Sequence, residues 1–432
     1  MSGAPETRVL LEHLFRHQAG RIVAHLLRRL GPAHLDLAEE MVQDAMLKAL
    51  QSWPYKGLPE NPEAWLFRVA RNAALDAVRH RRMAGGKSET LIAEFDRPVV
   101  LNETDPDFEE QLRDDELRLI FMCCHPQLGR DSSVALSLKI AGGFSVREIA
   151  RAFLVEESAI AQRLVRAKKQ IREQGLTLEI PSGRELAERL VAVTDVLYFL
   201  FNEGYAAHEG EDLIRQDLCT EALRLGWLMA RSSIANPRVH ALVAVMALQA
   251  ARLPARTDEA GDLILLDEQD RSRWDQHLIS MGFREFDLSM AGEELTEYHV
   301  QAAIAATHAR ATDRHGIDWP VILQLYDQLM ELSSSPVVAL NRAVALAKVD
   351  GAAAGLSELE PIARDGKMQS YYLYLAVRGH LLLELDEHAL AAECFRAALE
   401  CRCSEPERRF LRRKLKECAC GGACKGTAAR DI

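Results

Sequence analysis

Residues that break or stiffen a chain are scarce in this one. Across 432 residues there are 25 glycines, 15 prolines and 6% aromatics, against 48% apolar residues. That balance excludes a collagen-like repeat and argues against an all-β sandwich, while the abundance of Ala, Leu, Glu and Arg favours helix. No apolar run reaches the roughly 20 residues of a membrane span. The best stretch, Val191 to Phe201, is short and holds Asp195. Glu6, Arg8, Glu12 and Arg16 interrupt the first apolar run, which no secretory signal tolerates. Of nine cysteines, Cys123, Cys124 and Cys219 are scattered and six fall after residue 393, so there is no disulfide framework. A chain of this size without an export signal is expected to be reduced and cytoplasmic. Metal and catalytic signatures are missing too. His208, His240 and His277, with Glu203, Glu209 and Asp217, match no ligand spacing such as His-Glu-x-x-His. No catalytic residue, metal or cofactor is assigned, and no membrane partner is expected. In the tail, Cys401-x-Cys403 and Cys418-x-Cys420-x-x-x-Cys424 are expected to be free thiols on a frayed, Gly-rich segment.

What is present is unevenly distributed charge. The net charge of −11 would by itself discourage a nucleic-acid partner. Residues 1–92, however, carry 13 basic and 10 acidic side chains, and residues 119–180 carry 9 and 6. Between them, residues 93–118 hold 10 acids and 3 bases, and residues 181–432 hold 38 acids and 28 bases. Two basic blocks are thus separated by an acidic linker and followed by an acidic half.

Helical period dominates throughout. The first block predicts helices over Val9–Leu30, Leu35–Ser52 and Pro62–Arg82. The third has Asn61 as N-cap and Pro62 at its first position, and Ala84-Gly85-Gly86 stops it. From Glu94 to Asp115 the chain is acidic and interrupted by Pro98 and Pro106, which fits a linker. Helix resumes from about Glu116 to Glu173, and Asp262 to Asp267 is the one candidate strand. In the last 130 residues, Ala339-Leu340-Asn341-Arg342-Ala343 and Leu375-Ala376-Val377-Arg378-Gly379 open similar segments 36 residues apart, close to the period of a tetratricopeptide helix pair.

The strongest local pattern is a helix-turn-helix. Ser145-Val146-Arg147-Glu148 is a capping box, and Ile149, Ala150 and Phe153 give the helix it opens an apolar face. After a turn at Leu154-Val155-Glu156, Ile160, Leu164, Ala167 and Ile171 form one buried stripe. No acid occurs between Ser158 and Arg172, so this helix carries five net positive charges. Ser158, Gln162 and Arg166 share the face that meets base edges in such motifs, and Arg163, Lys168 and Lys169 suit phosphates. The helix from Pro62 repeats the theme. Leu66, Val69, Ala70, Ala73 and Ala77 are its expected inward face. Trp65, Arg68, Asn72, Asp76 and Arg79 share another face, with Arg71, Arg81 and Arg82 adding charge. An aromatic with Arg and Asn on one helix suits an opened nucleic-acid strand.

These segments resemble those of a known family. Leu37-Ala38-Glu39-Glu40-Met41-Val42-Gln43-Asp44-Ala45 resembles the region-two helix by which bacterial sigma factors dock on core RNA polymerase. Trp65-Leu66-Phe67-Arg68-Val69-Ala70-Arg71-Asn72 resembles the adjoining segment that reads the −10 element. Ala161-Gln162-Arg163-Leu164-Val165-Arg166-Ala167-Lys168 falls where the region-four recognition helix of an extracytoplasmic-function (ECF) sigma factor belongs. The resemblance covers roughly residues 8–175. Cys123-Cys124-His125-Pro126 and Phe201-Asn202-Glu203-Gly204-Tyr205-Ala206 resemble the group of that family with a long tetratricopeptide-like extension. Leu37 departs from the family pattern, which often has an acid there, so no contact is assigned to it.

The resemblance implies an all-α protein with a division of labour. Glu39, Glu40, Gln43 and Asp44 would meet core polymerase. Tyr55, Lys56 and Asn61, in a loop between helices that captures a flipped base, would join Trp65, Arg68, Arg71, Asn72 and Arg79 on the −10 element. Ser158, Gln162, Arg163, Arg166 and Lys169 would meet the −35 duplex. The expected division is region two over 1–92, an acidic linker over 93–118, region four over 119–178, a helical middle domain over 179–296, tetratricopeptide-like repeats over 297–420 and a flexible tail over 421–432. Core polymerase and promoter DNA are the implied partners, with a further protein partner at the extension, whose −10 charge suggests that it regulates the sigma domains. The competing reading is a helix-turn-helix transcription regulator with a tetratricopeptide signal-receiving domain. The first 90 residues argue against it, because such a regulator needs neither a polymerase-docking helix nor a strand-reading one. A pure scaffold would not need the acid-free helix.

Overall fold

A computed structural model describes residues 18–83, 106–153, 155–205, 214–333, 335–363 and 366–426. The described residues are helical, with no strand among them. At the predicted strand there is a single antiparallel bridge, Thr257 to Leu263, followed by a 3-10 turn at Leu266–Glu268. Among the described residues no helix is long and apolar enough to cross a membrane. The chain divides into two units, 1–199 and 200–432.

In the first unit, helix α1 covers residues 18–30, α2 is Leu35–Lys56 and α3 is Pro62–Met83. The expected N-terminal part of α1 and the Gly85-Gly86 stop lie outside the described residues. Helix α2 runs through Pro54, four residues past the expected end. Its last turn is held by Trp53, which is buried edge-on against Trp65 at 5.4 Å, and it stops where Gly57, at φ 81°, donates its amide to the Trp53 carbonyl. The left-handed region is open to glycine at little cost. The inward face of α3 is Ala64, Leu66, Phe67, Ala70, Ala74 and Val78. Of the residues expected on that face, Leu66 and Ala70 are buried, whereas Val69, Ala73 and Ala77 are only half-buried. Phe67, whose ring meets His25 at 5.9 Å, sets the rotation of the helix.

Helix α4, Pro106–Cys123, starts well inside the stretch expected to be linker. Pro106 occupies the first helical turn, where its missing N–H costs nothing, so it opens a helix instead of breaking one. Acidic Asp115 is fully buried, where the His25 ring at 3.2 Å and the Arg28 guanidinium at 3.3 Å meet it from α1. The linker residues up to 105 lie outside the described residues. Helix α5, Arg130–Leu136, continues into a π turn at Ser137–Ala141. A Cβ on Gly20 of α1 would come within 2.4 Å of the Ala141 carbonyl oxygen, so this close approach requires glycine. Helices α6, Val146–Phe153, and α7, Glu157–Glu173, pack together as the helix-turn-helix. Helix α8, Gly183–Tyr205, contains the boundary between the units; before it, Arg189 donates to the Phe121 carbonyl at 2.7 Å, and Phe199 stacks on Phe153.

The second unit is built around α10, Pro237–Ala250, whose residues from Ala241 to Leu248 are all buried. Asn236 caps it by accepting from the Val239 amide at 2.9 Å, with Pro237 in its first turn. It packs against α9, Gln216–Ala230, and against α11, Gln276–Ser289, and α12, Glu297–Arg310. Helix α13, Trp319–Leu332, precedes two helix pairs. These are α14, Pro336–Asp350, with α15, Ala352–Ile362, and α16, Tyr372–Glu384, with α17, His388–Glu400. Each helix of the second pair begins 36 residues after its counterpart in the first. Gly355 and Gly379 sit where a Cβ would strike Ala347 and Phe395, so small residues let each pair close. Helix α18, Glu405–Gly426, carries helical backbone through Gly421 and Gly422, where a frayed tail was expected.

Candidate nucleic-acid and polymerase interface

Helix α2 turns Leu35, Leu37, Ala38, Met41 and Val42 inward, so its acidic residues fall on the opposite side. Leu37 is core, which accounts for an apolar residue where an acid is frequent. Glu40 and Gln43 are exposed, and Glu39 and Asp44 are half-buried. Glu39 is not free, because its carboxylate pairs with the Lys168 ammonium of α7. Asp36, one turn earlier, meets the same ammonium at 2.9 Å. Burial opposes the charge on Lys168, but Glu39 and Asp36 outweigh it and hold the lysine above its usual pKa. Lys168 was expected to face phosphates, and in this conformation it is bound to two carboxylates instead. The pair spans 132 residues of sequence, and no local pattern announces it.

On α3 the expected outward face is outward. Arg68, Asn72, Asp76 and Arg79 are exposed, whereas Trp65 and Arg71 are half-buried. Trp65 shows an edge to Trp53 and leaves part of its ring accessible. Asn61 caps α3, with its amide oxygen accepting from the Ala64 amide at 3.0 Å. That bond leaves its side-chain nitrogen as the group still available for a base. Tyr55 and Lys56 belong to the last turn of α2, not to the loop as expected, and Tyr55 is 89% exposed. The loop proper is residues 57–61, where Leu58 is half exposed. Sequence reasoning passed over Leu58, whose only signal is an apolar residue between Gly57 and Pro59.

Helices α6 and α7 show the capping box and the buried stripe that the sequence predicts. Ser145 and Glu148 form both bonds of the capping box, at 2.8 and 3.1 Å. Ile160, Leu164, Ala167 and Ile171 are buried. Ser158, Gln162, Arg166 and Lys169 are exposed. Arg163 is half-buried and reaches Asp131 at 3.4 Å, and Lys169 reaches Glu173 at 3.6 Å, one turn on. Such exposed pairs are worth about 0–1 kcal/mol and yield readily to phosphate. Glu156 precedes the helix without a side-chain cap. Leu154 of the turn lies outside the described residues.

Other candidates are not assembled into a site. His240 meets Glu285 at 2.7 Å, on α10 and α11, and is not joined with His277; His208 and Glu209 lie outside the described residues. Burial drives the Cys123 thiol up, and holds Cys124 at about 12 even though Ser137 bonds it. Neither is a ready thiolate. Among the described residues no group of three or more metal-ligating side chains comes together.

Comparison with known proteins follows this anatomy. Residues 14–83 match sigma-70 region 2, and residues 118–171 match sigma-70 region 4. The first unit carries both a sigma-70 region 2 and a sigma-70 region 4. The sigma matches end at residue 171; residues 189–290 match a family of unknown function (DUF6596). The uncharacterized protein R00370 of Rhizobium meliloti is 40% identical over 392 residues, 89% of this chain and 91% of that one, so the two belong to one family. The ECF RNA polymerase sigma factor SigL of Mycobacterium tuberculosis is 28% identical over 181 residues, 41% of this chain and 95% of SigL. No solved structure matches the chain. The two sigma regions thus fall on the helices that carry the exposed faces described above.

Proposed function

We propose that this chain is an ECF-type sigma factor that docks on core RNA polymerase, opens the −10 element and reads the −35 element, with a C-terminal extension that regulates it. The observation that carries the reading is the order of two differently built faces in one unit. A strand-reading face on α3, with Arg68, Asn72 and Arg79, precedes a duplex-reading face on α7, with Ser158, Gln162 and Arg166. A duplex regulator has use for the second only. Region two over 1–92, region four over 119–178 and a tetratricopeptide-like arrangement of the helix pairs after residue 297 are part of this proposal. The repeated 36-residue offset supports the last of these.

No bond is made or broken by such a protein. Contacts of Gln162 and Arg166 in the major groove, and of Arg163 and Lys169 to phosphates, contribute binding free energy that offsets unpairing at −10. Trp65, Arg68, Arg71 and Asn72, with Tyr55, Lys56 and Asn61, hold the opened strand by stacking and hydrogen bonds, and Arg79 meets its backbone. Glu39, Glu40, Gln43 and Asp44 offer polymerase an acidic face. Glu39 reaches polymerase only once Lys168 lets go, so docking is coupled to separation of α7 from α2.

The test is strand opening. The full chain is mixed with core polymerase and genomic fragments, and unpaired thymines are mapped by permanganate. Opening that requires both the chain and core polymerase is expected. Duplex binding by the chain alone, with no opening when core is added, would favour the helix-turn-helix regulator.

A further inference from the structure

In the second unit three arginines gather, and among the described residues none of them has a counter-ion. Arg252 follows α10, Arg256 follows the 3-10 turn Leu253–Ala255, and Arg271 opens the 3-10 turn Arg271–Arg273. Two of the guanidiniums lie against one indole: Arg252 is 5.5 Å and Arg271 4.6 Å from the Trp274 ring, which is itself buried. Arg256 is buried over the Tyr205 ring at 4.0 Å and donates to the Tyr205 carbonyl. Among the described residues no carboxylate lies within ion-pair distance of any of the three. Asp267 and Asp313 act on Arg271 from beyond ion-pair distance; Asp267 is committed to the Lys348 ammonium at 2.9 Å, and Asp313 accepts from the His315 and Gly316 amides.

Their hydrogen bonds are incomplete as well. Arg271 spends one terminal nitrogen on the His308 and Ala311 carbonyls, at 2.6 and 2.9 Å, while its other terminal nitrogen is buried with no partner. Arg252 makes a single long bond, from Nε to the Gln269 amide oxygen at 3.4 Å, so its two terminal nitrogens are unspent. The His308 Nδ1 atom, beside them, is also buried and unpartnered. Buried charges in proteins are ordinarily paired and hydrogen-bonded, because leaving them otherwise is costly. Forked guanidinium donors match the planar or tetrahedral oxygens of carboxylate and phosphate. Burial and the mutual repulsion of the arginines pull Arg252 below its usual pKa, which an anion would relieve.

We infer that Arg252 and Arg271 at Trp274, with Arg256 at Tyr205 beside them, form an oxyanion site that takes a small ligand bearing a carboxylate or phosphate group. The inference rests on the second unit alone and stands whatever the first unit does. Such a site makes the extension a receiver of a small-molecule signal.

The experiment is calorimetric titration of the full chain with inorganic phosphate and, separately, with succinate, at ionic strength held constant with sodium chloride. Saturable binding of at least one anion is expected. Binding of phosphate alone marks a phosphorylated ligand, and binding of succinate alone a carboxylate ligand. Arg252→Gln should weaken binding at least tenfold, and Arg271→Lys, which keeps charge but loses the fork, should weaken it as well. Arg231→Gln, which removes an exposed arginine stacked on Trp227, should change nothing. Circular dichroism checks each variant. If Arg271→Lys fails to fold, Arg252→Gln decides, since that side chain holds little else together. Absence of saturable binding by either anion, or unchanged affinity in a folded Arg252→Gln chain, overturns the inference.

Discussion

Cations are used in opposite ways in the two units. On α7 of the first unit, Arg166 stands in solvent, where an unmatched charge costs little, and Lys169 beside it meets only the exposed Glu173. In the second unit Arg252, Arg256 and Arg271 are drawn in against Trp274 and Tyr205, where an unmatched charge is expensive. A surface that must release and rebind a long polyanion suits the first arrangement, because counterions replace the duplex when it leaves. Recognition of one small anion suits the second. Lys168 is a third case, a helix cation satisfied by Asp36 and Glu39 of α2 and so removed from the set proposed to meet DNA.

The largest expected effect breaks the exposed arrangement. Gln162→Ala with Arg166→Ala should weaken promoter binding by about 1–3 kcal/mol for each residue, measured as holoenzyme affinity at fixed salt. Helical circular dichroism should not change, since both side chains are exposed. Next comes the buried arrangement. His308 is held at about 4, first by burial and then by Arg252 and Arg271, against a weaker opposing pull from Asp267. The folded chain therefore keeps this ring neutral at pH values where the unfolded chain protonates it. Between about pH 6.5 and 4 the unfolded state binds more protons, so stability falls as pH falls, by up to about 3 kcal/mol across the window. Urea denaturation of the full chain at pH 7.5 and 4.5 should show this loss, and His308→Gln should flatten it.

Smaller effects sharpen the comparison. Asn61→Ala removes the cap at Ala64 and should cost about 1 kcal/mol of stability, read by thermal melting. Lys168→Ala, which strands the largely buried Glu39 carboxylate, should cost about 1–3 kcal/mol of stability and leave the salt dependence of promoter binding where it was. Lys169→Ala should reduce that salt slope by about one. Equal slopes for the two lysine variants would erase the distinction drawn between them.

The outward residues of α3 and α7 were legible in the sequence because helical period alone divides Arg68, Asn72, Gln162 and Arg166 from Leu66, Ala70, Ile160 and Leu164. The capping box at Ser145 and the cap at Asn61 were legible for the same reason, since both are local. Where the reading failed, tertiary contacts overrode local signals. Pro106 read as a breaker and Ser52 as a helix end, yet Pro106 opens its own helix and Trp53 carries α2 on through Pro54 to Lys56. Asp115 read as a linker acid, but His25 and Arg28, about ninety residues earlier, draw it into the core. Lys168 with Asp36, and Arg252 with Arg271 and Trp274, are meetings of distant segments that no spacing records. The candidate site was thus legible wherever one helix makes it, and illegible wherever two must meet.

The most direct measurement of the central claim is run-off transcription by core polymerase on a promoter from the native genome, with and without the full chain. Initiation at one defined start that depends on the chain, and that is lost when Trp65→Ala is combined with Asn72→Ala, is the predicted result. If neither the full chain nor residues 1–180 directs a transcript, and neither binds core polymerase, the sigma reading is contradicted.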